Sequence, residues 1–312
     1  MLITLKNKLC EINNFINDKE NVIYLDYPFH FNIGDSLIFH GTLDFFKENN
    51  IKPKLFLCTD NFSIEKIKNK IDSETTIFLH GGGNFGDLYN IHQNLREIVI
   101  ENFPNNKIIM LPQSVYFQSP ENLKKSLIIF KKHKNLILFA RDSVSLEILS
   151  SFSDKSYLMP DMAHQLYQKL PTQVKKKDKT LYFIRKDKEQ TSQQNGILDI
   201  LKAQHIDWDD LITTSDIKIK KKISKKMKSQ LLPFIDYDKN AYNMWAQQTE
   251  MIIKRVCEYY LEYDHIVTSR LHSHILSSLL HIPSTIIDNN YQKNSLYYKQ
   301  WTSNLSIHNL YQ

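Results

Sequence analysis

The chemistry-bearing side chains of this chain fall in short turns, and the densest turn is Thr268-Ser269-Arg270-Leu271-His272. An apolar pair, Ile266-Val267, leads into it. Leu271, Ile275, Leu276, Leu279 and Leu280 follow with helical spacing as far as Pro283. Ser269 suits the N-cap of that helix, which sets Arg270 and His272 beside unpaired backbone N–H groups and the positive end of the helix dipole. An arginine fork, an imidazole and a helix N-terminus together favour an anion, phosphate above all. Histidine as a residue type titrates near neutral pH, so His272 is also a candidate proton donor. His274 and His281 share the helix's polar face with Ser277 and Ser278 and are expected to be solvated.

A second concentration is Leu79-His80-Gly81-Gly82-Gly83-Asn84-Phe85-Gly86-Asp87, directly after an apolar run. Three of the chain's seven glycines are adjacent there, and a bare backbone lets a ligand approach closely. Gly81, Gly83 and Gly86 satisfy GxGxxG. The next strand, however, ends in Leu111-Pro112-Gln113 without an acid for a ribose, and no Gly-Lys-Ser/Thr follows, so dinucleotide and P-loop readings are weak. Other strand-to-helix turns carry Asn32, Gly34 and Asp35, then Gln113, then Arg141 and Asp142, then Asp161 and His164. Arg141 either offers its fork to a carboxylate or phosphate in a cleft, or pairs with Asp142 or Asp161. No HExxH, His/Cys cluster or GxSxG occurs, so neither a metal site nor a nucleophilic hydrolase is indicated.

These turns need elements to hold them. Short β-rich runs at 21–26, 54–58, 76–79, 107–111, 136–140 and 156–159 alternate with helical segments at 36–47, 64–71, 91–102, 121–132 and 143–150, after an amphipathic segment at 1–16. Pro112-Gln113-Ser114 reads as a turn. The pattern lapses into the polar, basic stretch PTQVKKKDK, then restarts with a strand at 180–184, a helix at 242–263 and the strand–helix–strand unit described first. Such alternation predicts βαβ units and a mostly parallel sheet. The expectation is an α/β chain of two Rossmann-like domains, 1–170 and 171–312, facing a cleft, with the C-terminal segment 297–312 packed back on the body. Ligands in such folds sit beyond the carboxyl ends of the strands, where these polar residues gather.

The length of 312 residues suits two domains, and 42% hydrophobic content excludes global disorder. The net charge of +6 suits an anionic substrate or membrane surface without requiring nucleic acid. Cys10, Cys58 and Cys257 are far apart and lack CxxC spacing, which fits a reducing, cytoplasmic compartment. No signal peptide opens the chain, and no apolar run approaches the ~18 residues of a membrane span.

Taken in order, Asn32-Ile33-Gly34-Asp35, Leu79 to Asp87, Pro112-Gln113-Ser114, Ala140-Arg141-Asp142-Ser143, Pro160-Asp161 and Thr268 to His272 resemble the polysaccharide pyruvyl transferase family. The resemblance spans most of the chain and implies a fold similar to the glycosyltransferase-B architecture. It also implies transfer of a pyruvyl group from phosphoenolpyruvate to two sugar hydroxyls, giving a cyclic ketal; no metal is demanded, because arginines can neutralise the phosphate, and no cofactor is expected. Arg141 and Arg270-Leu271-His272 match the family's phosphoenolpyruvate-contacting positions, which makes His272, Arg270 and Arg141 the expected catalytic set. Ser269, Leu271, His80, Gly81, Gly82, Gly83, Asn84, Asp35, Asp87 and Gln113 are the expected substrate-binding set. Asp35, His80 or Asp87 would orient or deprotonate the sugar hydroxyls. The acceptor implied is a surface-polysaccharide unit, often linked to a polyprenyl diphosphate.

A basic run opens at Lys218 and closes at Lys228, with Ile219, Ile223 and Met227 on one helical face. It is either a solvated face or a peripheral contact with an anionic membrane at its cytoplasmic side. Two rivals remain: a sugar-nucleotide glycosyltransferase of the same build, distinguished by nucleotide binding, and a silent glycan- or anion-binding protein, distinguished by lack of turnover.

Overall fold

The computed structural model describes residues 1–172, 178–186, 205–228, 236–288 and 292–311. The chain alternates strands and helices into two parallel sheets. The larger contains β1 (Val22–Leu25), β2 (Phe56–Leu57), β3 (Thr76–Leu79), β4 (Gly82–Gly86), β5 (Lys107–Tyr116), β6 (Leu136–Ala140) and β7 (Ser156–Leu158). Its order is β2-β1-β3-β5-β6-β7, with β4 paired to β5 beyond the end of β3. The smaller has β8 (Thr180–Phe183), β9 (His265–Thr268), β10 (Ser284–Ile286) and β11 (His308–Leu310) in the order β11-β10-β9-β8. Strands β1, β3 and β6 are buried along their whole length, as their predominantly aliphatic and aromatic runs require in a covered parallel sheet.

Among the described residues the helices are α1 (Leu2–Leu9), α2 (Ile33–Glu48), α3 (Ile64–Lys68), α4 (Asn90–Asn102), α5 (Pro120–Phe130), α6 (Ser143–Ser150), α7 (Thr214–Met227), α8 (Tyr237–Tyr260), α9 (Leu271–Leu279) and α10 (Lys293–Tyr297). Three of them reach both the core under the larger sheet and the core of the smaller, and α1 does so through Leu9 on the first and Leu2 and Leu5 on the second. Helix α2 gives Ile38, Phe39, Phe45 and Phe46 to the core under the larger sheet, and Ile33 and Leu37 to the core of the smaller. Helix α8 does the same, with Tyr242 and Trp245 on the first core and Ile252, Ile253, Val256 and Tyr260 on the second. Gly41 lets α2 lie on the backbone of the 3-10 turn Met162–Leu166, because a Cβ there would collide with the Met162 carbonyl.

Several local expectations change. Pro112-Gln113-Ser114 is no turn: β5 runs through it, with a register shift against β6 between Met110 and Gln113 that accommodates the proline. Gly82 to Gly86 form a strand rather than a strand-to-helix loop, so the GxGxxG spacing does not make a dinucleotide turn. His274, Ser277 and Ser278 are buried rather than solvated, because β10 and the C-terminal residues cover that face of α9; His281 is exposed. His274 bridges the hydroxyls of Ser284 and Thr302, and His308 bridges those of Ser278 and Ser284. Ile223 and Met227 of α7 are buried in the first core and Ile219 packs on it, so the apolar stripe of the membrane expectation faces protein. No helix of the described residues is long and apolar enough to cross a membrane.

Candidate active site

The carboxyl ends of both sheets open onto one cleft of about 380 Å³. On the larger-sheet side, the turn from β1 into α2 supplies His30, Asn32 and Asp35. Strand β4 supplies Gly83 and Asn84, the start of α4 supplies Tyr89 and His92, and the exit of β6 supplies Arg141. On the smaller-sheet side, Arg185 follows β8, Trp208 begins a 3-10 turn, Arg270, Leu271 and His272 follow β9, and Lys293 and Asn294 open α10. The N-termini of α2 and α9 converge here. A Cβ on Gly34 would lie 2.7 Å from His272 Nδ1 and 2.9 Å from His272 Cβ, so this approach requires glycine.

Arg141 and Asp161, both buried, and the partly buried His272 form a polar cluster across the cleft floor. Asp161 Oδ2 accepts from Arg141 Nη1 at 2.7 Å and lies 3.2 Å from His272 Nε2. Burial alone would raise the Asp161 carboxyl, but His272 and Arg141 override it and hold the group well below its usual value. Arg141 Nε donates to Ser114 Oγ at 2.8 Å, while its Nη2 faces Gly83, where a Cβ would sit 2.8 Å away. The C-terminal segment braces this cluster. Tyr297 Oη accepts from the Asp161 N–H at 3.0 Å and meets His164 Nε2 at 2.9 Å, and Trp301 Nε1 donates to the Arg141 carbonyl at 2.8 Å.

Arg270 is clamped from its own side. Its Nε donates to Asp207 Oδ1 at 2.8 Å and its Nη2 to Asp207 Oδ2 at 2.5 Å, a fork-on-fork pair. Asp207, itself buried, also accepts from the N–H groups of Trp208 and Lys186. Each arginine of the expected catalytic set is thus oriented by an aspartate, Asp161 or Asp207.

The opposite lip carries two histidine–carboxylate pairs. His92 Nδ1 lies 2.7 Å from Asp26 Oδ1, and the other Asp26 oxygen is held by Arg96 Nη2 at 3.3 Å. Arg96, wholly buried, also binds the Asn84 side chain and, at 2.9 Å, its carbonyl. His30 Nε2 is 3.5 Å from Asp35 Oδ2; burial pushes the His30 pKa down, while Asp35 pulls the other way.

The sequence matches the profile described as polysaccharide pyruvyl transferase over residues 32–291. The chain belongs to that family. It is 38% identical over 307 residues to the EpsO protein of Bacillus subtilis, covering 96% of this chain and 91% of that protein, whose name places it provisionally among pyruvyl transferases. Pyruvyl transferase 1 of Schizosaccharomyces pombe is 26% identical over 293 residues, covering 90% of this chain and 70% of the relative. A solved structure of a functionally uncharacterised Klebsiella pneumoniae protein superposes with a TM-score of 0.62 at 21% identity, over 99% and 98% of the two chains, which shows a shared fold.

Within this pyruvyl transferase family member, seven expected residues reach the cleft: Arg141, Arg270, Leu271, His272, Asp35, Gly83 and Asn84. Six do not line it. Ser269 is not the N-cap of α9, a position taken by Arg270 without a side-chain cap bond; the Ser269 hydroxyl instead accepts from the Arg185 N–H at 3.0 Å. His80 is buried against the Tyr24 hydroxyl, and burial drives its pKa well down, so it stays neutral. Gln113 donates to the His80 carbonyl and to Asn84 Oδ1, which makes it a support for Asn84. Gly81 abuts the Pro112 carbonyl and Gly82 has φ 123°, so both serve the backbone path. Asp87 accepts from the N–H groups of Gln118 and Ser119 and from Asn122, and so fixes the start of α5. The unforeseen cleft residues His30, Tyr89, His92, Arg185, Trp208, Lys293 and Asn294 lie outside the matched motifs. Among the described residues no cluster of three or more His, Cys, Asp or Glu could hold a metal ion.

Proposed function

We propose that this chain transfers the pyruvyl group of phosphoenolpyruvate onto two hydroxyls of a sugar in a bacterial-type surface polysaccharide or its lipid-linked precursor, forming a cyclic ketal. The observation that carries this reading is the meeting of Arg141, Arg270 and His272 in one cleft, from opposite sheets and beside two helix N-termini. Phosphoenolpyruvate bears a carboxylate and a phosphate, and two oriented arginines with helix N-termini complement both. We read the two parallel sheets across a cleft as similar to the glycosyltransferase-B architecture.

On this reading His272 gives a proton to the methylene carbon, which creates an oxocarbenium centre at C2. The first sugar hydroxyl adds there and loses its proton. Phosphate then departs with the C2–O bond pair, and the second hydroxyl closes the ketal and releases its own proton. The ionised Asp161 carboxylate orients the imidazole and offsets its charge. Asp35 and the two lip histidines, His30 and His92, line the larger-sheet side of the cleft and on this reading are the groups that take those protons. The reaction needs no cofactor on this scheme, and a cytoplasmic setting keeps the three unpaired cysteines reduced.

Thermal unfolding with phosphoenolpyruvate, and separately with UDP-, GDP- and CMP-sugars, tests the reading. A ligand at about 100 times its Kd stabilises by about 2.7 kcal/mol. A rise with phosphoenolpyruvate alone, lost in Arg270→Ala, is the expected result. A rise with a sugar nucleotide alone would transfer the chain to the glycosyltransferases, and ligand binding without turnover on any glycan would make it a binding protein.

A further inference from the structure

The chain's positive charge is localised. Its net charge is +6, yet the segment from Lys218 to Lys228 alone carries seven lysines and no acid, so the remainder is close to neutral. Helix α7 sorts these lysines by face. Ile223 and Met227 lock one side into the core, and the capping pair of Thr213 and Asp216 fixes the first turn. Lys218, Lys221, Lys222, Lys225 and Lys228 stand exposed together on the other side, at spacings of three and four. Lys220 lies between the two faces and turns toward the segment Phe29 to Phe31. Its Nζ sits 4.8 Å from the Phe29 ring and 5.8 Å from the Phe31 ring, the two neighbours of cleft-lining His30. Lys220 thus links the lysine row to the chain segment that carries cleft-lining His30.

We propose that the exposed face of α7 is a docking track for an anionic glycan, which it holds beside the cleft while one sugar of that glycan is inside. The proposal rests on the pyruvyl-transfer reading in one respect. Each transferred pyruvyl group keeps its carboxylate, so a glycan modified along its length becomes a polyanion. A row of lysines on a helix whose apolar stripe is turned into the core, with Ile217 exposed near its start, attracts such a chain by charge and lets it slide. An anionic bilayer is the less favoured partner, because the stripe that would enter it is already buried in protein.

The test uses the full-length protein without donor, so it does not depend on turnover. Wild type, Lys221→Glu/Lys222→Glu/Lys225→Glu and a control reversal on α5, Lys124→Glu/Lys125→Glu, are compared for binding to polygalacturonate, to neutral dextran and to phosphatidylcholine–phosphatidylglycerol vesicles. Wild type and control should bind polygalacturonate and not dextran. The triple variant should bind about tenfold or more weakly at low salt, with the gap narrowing as the Debye length falls from about 30 Å at 0.01 M to about 8 Å at 0.15 M. Its melting temperature and its phosphoenolpyruvate-induced shift should match wild type. Equal polygalacturonate binding by all three proteins would overturn the proposal. So would binding of vesicles alone through these lysines, which would give the face to the membrane.

Discussion

Asp161 and His272 lie 111 positions apart, one beyond the last strand of the larger sheet and one in the first turn after β9, yet Oδ2 of the former is 3.2 Å from Nε2 of the latter. The same oxygen accepts from Arg141 at 2.7 Å. One buried carboxylate thus joins Arg141 of the larger-sheet half to His272 of the smaller-sheet half, and the candidate proton-donor role of His272 is exercised beside this contact.

Replacing Asp161 by Asn keeps the shape and removes the charge. Arg141, buried and left without its counter-ion, should make the variant about 3–5 kcal/mol less stable at pH 7. The pH dependence has a defined sign. The folded-state pKa of Asp161 is depressed from 3.8, so its ionised form contributes stability above that value and loses it as pH falls further. Urea denaturation at pH 7 and pH 3 should show the wild type converging toward the variant on acidification. A constant gap between the two proteins would remove Asp161 as the source.

Gly34 is where the helix bearing Asp35 meets the residue expected to move the proton. Alanine would gain up to about 1 kcal/mol of helix propensity at this position. Its Cβ, however, would meet His272 Cβ at 2.9 Å as well as the ring, so no side-chain rotation relieves the collision. The two helix N-termini must part, and Gly34→Ala should lower kcat by about 10²-fold, the loss expected of an ångström-scale misplacement. Steady-state kinetics with circular dichroism would check this; a folded variant with normal kcat would show that the His272 position is not critical.

Arg270→Ala does more than delete a donor contact, because it leaves Asp207 buried without its bidentate partner. The single variant should lose about 3–5 kcal/mol of stability, and pairing it with Asp207→Asn should recover much of that without recovering phosphoenolpyruvate binding. Calorimetry on both proteins separates the two effects. Full recovery of binding in the double variant would mean that Arg270 serves the fold alone.

The parallel α/β class was legible because β1, β3 and β6 are unbroken apolar runs ending in turn residues, and Arg141 and His272 were legible because they stand directly at such ends. Asp207 was not. It follows an isolated bridge residue, Ile206, in a stretch without periodicity, and only the tertiary fold brings it to Arg270. His274 was misread for a related reason: spacing places it on the polar face of α9, but β10 and Thr302 bury that face and supply hydroxyls for both ring nitrogens. His80 and Asp87 sit in a conspicuous motif, yet the two residues turn to Tyr24 and to the start of α5. Sequence order locates a turn; it does not say which side chains of the turn face the ligand.

The histidines buried in that polar network predict acid sensitivity in the opposite half of the molecule from Asp161. Burial lowers the His308 pKa from 6.5 to about 4, and pushes His274 well down. A depressed histidine pKa means that the unfolded chain binds the proton more tightly, so stability falls as pH drops from about 6.5 toward 4. His308 alone accounts for up to about 3 kcal/mol across that window, at 1.36 kcal/mol per unit. His308→Gln keeps a polar group for Ser278 or Ser284 without a titrating proton. Its stability should therefore be lower than wild type at pH 7, through the weaker fit, but should decline less steeply between pH 6.5 and 4. Denaturation curves at half-unit intervals measure both slopes, and parallel slopes would assign the acid sensitivity to other histidines whose pKa is lowered by burial, His274 and His80 together with His40 and His164, the last two held near pKa 4.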